Sequence, residues 1–189
     1  MQIPFMVQDS RARRLLFLFC ILCLALLIPL ADGPARAADS GPHIMEFRVQ
    51  GIIDDIAAKY VERAMREATD EKATLVLITL DTPGGLDTSM RRIVQTLLNS
   101  SIPTVVYVSP SGARAASAGV FIVAAANVAA MAPGTNLGAA HPVSSSGGDL
   151  PPTLAEKATN DAAALIRGIA AQRSRNSQWL EDAVRRSVA

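Results

Sequence analysis

Aromatic side chains are scarce in this 189-residue chain, at 4% of the total: one tryptophan, two tyrosines and five phenylalanines. A core with so few large rings has to close through small side chains, and the high alanine content points to closely packed helices. Cysteine is nearly absent as well. The two present, Cys20 and Cys23, both lie inside an apolar run, so their C-x-x-C spacing is read as incidental, and the region beyond residue 37 has no disulfide or thiolate chemistry. No metal site and no cofactor are expected. Lysine is rare too, with Lys59, Lys72 and Lys157 set against 15 arginines. Neither sign of charge dominates: beyond residue 37 there are 14 basic and 15 acidic residues, which leaves no electrostatic footprint for nucleic acid. Internal repeats and low-complexity tracts are also missing.

A long apolar run occurs only near the N-terminus. Arg11, Arg13 and Arg14 precede an unbroken apolar stretch from Leu15 to Ile28, and Ala35-Arg36-Ala37 matches an A-x-A cleavage site. Residues 1–37 therefore read as a signal peptide. An uncleaved N-terminal anchor is the alternative, although the run reaches Ala31 only by including Pro29. Either way the remainder lies outside the cytoplasm. Residues 38–189 are enough for one domain and too few for two.

Beyond the leader, hydrophobic periodicity alternates between two and 3.6 residues. His43–Ile53 alternates as a strand, Asp54 and Asp55 can cap a helix, and Ile56, Tyr60, Val61, Ala64, Met65 and Ala68 recur at helical spacing to about Asp70. The β-rich run Thr74–Leu80 breaks at Thr82-Pro83-Gly84-Gly85, after which Leu86, Met90, Ile93, Val94, Leu97 and Leu98 mark a second amphipathic helix. A third cycle comprises a strand Thr104–Ser109, a turn at Pro110-Ser111-Gly112 and a helix from about Ala116 to Asn127. A short strand Val128–Met131 follows. Such alternation implies an α/β fold with mainly parallel strands. Residues 133–152, rich in Gly, Ser and Pro, read as a mobile lid, before helices over Thr153–Arg173 and Gln178–Val188.

Three segments carry chemistry. Ser109–Ile122 places Ser117 among Ala116, Ala118 and Gly119, neighbours too small to screen its hydroxyl. Leu80–Leu86 holds Gly84 and Gly85, where glycine permits positive φ and can turn backbone N–H groups towards a ligand. Lys157 lies 40 residues after Ser117. Each has a plainer reading: a serine packed in an alanine-rich helix, a simple turn, and a surface ion pair between Lys157 and Asp161 in the less favourable lysine-first order.

Together the segments resemble the membrane-bound serine proteases of the NfeD family, relatives of ClpP and signal peptide peptidase A, over roughly residues 44–189. The resemblance implies a ClpP/crotonase-like fold, a Ser117–Lys157 catalytic dyad and an oxyanion hole at Gly84 and Gly85. His141, 24 residues after Ser117, is the alternative base by analogy with ClpP-type proteases. Also implied are homo-oligomerisation, membrane association on the periplasmic or extracytoplasmic side, and cleavage of hydrophobic peptide segments, with a stomatin-like membrane protein as partner. By the family pattern, residues 38–189 form a ClpP-like protease domain without its closing elements. Two rival functions stand beside this one. The first is a non-catalytic scaffold binding stomatin-like proteins; the second is a crotonase-type acyl-thioester enzyme, for which Asp81 and Asp87 are the only acids flanking the glycine pair.

Overall fold

Four parallel strands in the order β1-β2-β3-β5 form the main sheet: β1 (Ile44–Gln50), β2 (Leu75–Asp81), β3 (Thr104–Val108) and β5 (Val128–Met131). The structure, a computed structural model, describes residues 41–144 and 150–189. The targeting segment, both cysteines and the middle of the expected lid lie outside those residues. Each of the first three strands is followed by a helix: α1 (Asp55–Asp70), α2 (Asp87–Leu98) and α3 (Ala118–Ala125). After β5 the chain makes a short strand β6 and two helices, α4 (Pro152–Arg173) and α5 (Ser177–Arg185). Asp54 caps α1 as its sequence suggests, its carboxylate accepting from the Ala57 N–H at 2.8 Å.

The core sits on one face of the main sheet. Phe47 and Val49 of β1, Val76, Ile78 and Leu80 of β2, and Val106 and Val108 of β3 join the buried faces of the helices in one cluster. Every residue of α3 is buried, so this helix lies within the core and shows no amphipathic stripe. Arg173 clamps the bundle by donating to Ala125 O at 2.8 Å and Leu97 O at 3.0 Å, the terminal carbonyls of α3 and α2. On the opposite face Leu77, Val105 and Tyr107 stay partly exposed, while Thr79 on the same face is buried.

Three sequence expectations need correction. The helix read as starting near Ala116 begins at Ala118, because Arg114–Ala116 forms a short strand, β4. Part of the expected lid is itself strand: β6 (Asn136–Gly138) pairs in parallel with β4 as a second, two-stranded sheet. Finally, Ile56 does not face the core and is 76% exposed; Ala58 and Val61 take that role in the first turns of α1. Among the described residues no helix is long and apolar enough to cross a membrane.

Candidate functional site

The glycine loop after β2 is held from both sides. On one side the Thr82 N–H donates to Arg114 O at 2.7 Å and the Ala116 N–H to Thr82 O at 3.1 Å, which stitches the loop to β4. On the other, the Ile53 N–H donates to Gly84 O at 2.9 Å and the Leu86 N–H to Ile53 O at 2.8 Å. Small residues are a steric necessity here. A Cβ on Gly84 would lie 2.6 Å from Ser117 Cβ, on Gly85 2.2 Å from Ile53 O, and on Gly119 2.8 Å from Thr82 Cγ2. Gly84 also has φ +113°, a conformation that L side chains rarely adopt.

This arrangement delivers Ser117 at the junction of β4 and α3 with φ 52° and ψ −114°, strained for a residue with a Cβ. Its own N–H donates to Gly138 O at 3.0 Å, and its C=O accepts from Val120 N–H at 3.0 Å. Serine in the N-cap position ordinarily bonds the first turn of its helix through the side chain. Ser117 makes no such bond, so among the described residues its half-buried hydroxyl has no partner beside a cleft of about 120 Å³. Gly85, Met90, Phe121, Pro142, Val143 and Ala162 line that cleft with it.

Backbone donors can be assigned from the hydrogen bonds. The Gly84 N–H is spent on Thr82 Oγ1 at 3.0 Å, and the Thr82 hydroxyl in turn donates to Gly84 O at 3.3 Å. Gly85 and Ala118 both line the cleft, and among the described residues the N–H of neither has a partner. The donors next to Ser117 are thus Gly85 and Ala118 rather than the two glycines. Ala118 escaped sequence reading because a backbone amide has no side-chain signature. The available signal was its position: the first N–H groups of any helix lack intrahelical acceptors.

Lys157 lies in the second turn of α4, exposed and not among the cleft residues. Ala162, which does line the cleft, is five residues further on, about 7.5 Å along the helix axis. The ion pair with Asp161 does not form, since Asp161 is bound to Arg91 of α2. Among the described residues Lys157 has no ion pair, so its amine is uncommitted. Arg91 also donates through Nε to Asp87 Oδ2 at 2.8 Å, which engages the one carboxylate lining the cleft. Burial weakens the proton's hold on that guanidinium, but Asp87 and Asp161 outweigh it and raise the Arg91 pKa above its ordinary value. His141 is not the solvated loop histidine its surroundings imply: its ring is half-buried and its Nδ1 lies 3.0 Å from Val184 O near the end of α5. A proton on Nδ1 bonded to that carbonyl leaves Nε2 basic, yet the ring does not line the cleft. No group of metal-ligating side chains occurs among the described residues.

Comparison with known proteins bears on the same segments. The profile of the NfeD1b N-terminal domain matches residues 44–188. A membrane-bound protease of Pyrococcus horikoshii is 35% identical over 147 residues, which are 75% of this chain and 32% of that protein. The chain therefore spans about a third of that relative's length. Among solved structures, a lysine-to-alanine variant of a membrane-bound stomatin-specific protease, in complex with a substrate peptide, superposes with a TM-score of 0.71 at 34% identity over 78% of this chain and 68% of that one. A serine-to-alanine variant of such a protease gives a TM-score of 0.70 at 33% identity over 78% of this chain and 72% of that one. ClpP1 from Listeria monocytogenes, 18% identical with a TM-score of 0.59 over 76% of this chain and 80% of its own, shares the fold.

Proposed function

The chain belongs to the NfeD1b N-terminal domain family, and on that premise we propose that it is a serine endopeptidase working through an acyl-enzyme on Ser117. One observation carries the reading: a strained serine at a strand-helix junction, its hydroxyl uncapped, facing a cleft with two unpartnered backbone N–H groups. Ser117 Oγ attacks the peptide carbonyl carbon, and the resulting oxyanion accepts from the N–H groups of Gly85 and Ala118. Lys157 takes the hydroxyl proton and returns it to the leaving amine; water then hydrolyses the ester with the same residue as base.

Support for the dyad comes from the uncommitted amine of Lys157 and from the relatives, in which a lysine and a serine were the residues replaced by alanine. Assembly requires the Lys157 side chain to turn from solvent towards the mouth of the cleft. Met90, Phe121, Pro142 and Val143 fit the site to apolar segments. The specificity of the solved relative for a stomatin homologue extends this to a stomatin-like membrane partner. Membrane association accords with the names of the relatives, and a position outside the cytoplasm with the N-terminal sequence alone.

The exposed position of Lys157 is the observation that favours the second reading, a non-catalytic scaffold for such a partner. Treatment with a fluorophosphonate, followed by mass spectrometry and an apolar-peptide hydrolysis assay, separates the two. The expected results are an adduct on Ser117, none in Ser117→Ala, lost turnover in Lys157→Met and substantial turnover in His141→Ala. Absence of both adduct and turnover in the parent favours the scaffold. An active Lys157→Met with an inactive His141→Ala transfers the base role to His141.

A further inference from the structure

The main sheet starts at β1, whose outer edge has no strand beside it among the described residues. The Thr74 N–H donates to His43 O at 2.8 Å and the Gly51 N–H to Asp81 O at 2.9 Å, so the odd-numbered residues of this segment turn their peptide groups towards β2. Alternation sends the N–H and C=O of Ile44, Glu46, Arg48 and Gln50 outwards, and all four residues are exposed. The strand is seven residues long, with no proline and no bulge to blunt it, and such an edge is a template for another strand. Glu46 and Arg48, of opposite sign and two residues apart on one face, make no ion pair among the described residues.

We propose that a second copy of this chain pairs with β1 in antiparallel fashion about a two-fold axis at Phe47, which sets Glu46 of each copy opposite Arg48 of the other. Symmetry limits the choices of register. An axis at Glu46 sets that carboxylate against itself, and an axis at Arg48 sets guanidinium against guanidinium; like charges directly opposite are destabilising. The axis at Phe47 matches the charges twice and also overlaps the whole strand, with Ile44 opposite Gln50 and Met45 opposite Val49. Outward-facing peptide groups then meet outward-facing peptide groups throughout.

The other side of β1 fits the same arrangement. A groove of about 400 Å³ runs along it between Val49, Ile52, Ile56 and Tyr60, and Ile52 and Ile56 are 66% and 76% exposed. Pairing places Met45 of the second copy beside Val49, which lines this groove together with Arg48 and Gln50. An unrelated extended peptide could pair with the edge, but only a second copy supplies the complementary charges by symmetry. This interface does not depend on the catalytic reading.

Sedimentation equilibrium of the full chain in a density-matched detergent tests it. The parent should form a concentration-dependent dimer, and Glu46→Arg or Arg48→Glu, each creating two like-charge pairs, should weaken it about tenfold or more. The double variant Glu46→Arg/Arg48→Glu should restore association, with unchanged circular dichroism in all four proteins. A parent that stays monomeric overturns the proposal. So do single variants that associate like the parent, or a double variant that fails to recover.

Discussion

On the proposed function Ser117 joins two demands in one residue: it carries the hydroxyl that attacks, and it holds a backbone conformation better suited to glycine. The two can be separated experimentally. Ser117→Ala and Ser117→Gly both lose the nucleophile and should both be inactive, but glycine relieves the φ 52° strain. The glycine variant should be the more stable of the pair by about 1 kcal/mol, read from urea midpoints. Equal stability, or a more stable alanine variant, would show that the strain is not stored at this residue. Ser117 stands out in the sequence because its neighbours are so small, and the structure gives those neighbours a packing reason: Gly84 and Gly119 sit where no Cβ fits. The division of labour between the two glycines was not legible. Gly84 supplies the positive φ and is buried under Ser117, whereas Gly85 keeps an N–H without a partner among the described residues; the Thr82 hydroxyl is bonded to one amide and not the other.

Among the elements, the first two strand-helix cycles were readable from the helical spacing of their apolar residues, and the third from its unbroken apolar run, which is why its helix start was misplaced. The three-residue strands β4 and β6 were not readable. They are too short for a period, and their residues are the small ones the cleft requires. The terminal helix α5 depends visibly on charge. Arg185, and after it Arg167 of α4, hold the Glu181 carboxyl below its ordinary pKa, and Arg186 does the same for Asp182. A carboxylate whose folded-state pKa is lowered contributes stability above its unfolded value, and the contribution is lost as pH falls through the folded one. Hydrogen-exchange protection of α5 should therefore decline before that of α3, which has no ionisable side chain, as the pH drops through and below about 4. Glu181→Gln should remove most of this difference. Protection factors that fall in step in the parent would mean that packing of Leu180, Ala183 and Val184, and not these exposed pairs, holds the helix.

For the molecule as a whole, the architecture followed from the order of its elements, but the closure of the site did not, because it joins segments distant in sequence. The Gly138 carbonyl that receives the Ser117 N–H belongs to a strip stitched to the end of α5 and beyond: the Ala139 N–H donates to Val188 O and the Ala140 N–H to Ala183 O, both at 2.9 Å. Removal of residues 183–189 should therefore abolish fluorophosphonate labelling of Ser117 while the strand content of the sheet, measured by circular dichroism, persists. Full labelling of the shortened chain would show that the seat of Ser117 stands without that strip. The arrangement also has a meaning in time. During synthesis the nucleophile and the glycine loop emerge well before the residues that complete their support, so a growing chain carries the parts of a peptidase without the assembled site. On the proposed function the site is complete only once residue 188 has been made, so a growing chain would be kept from cutting itself or its neighbours during synthesis.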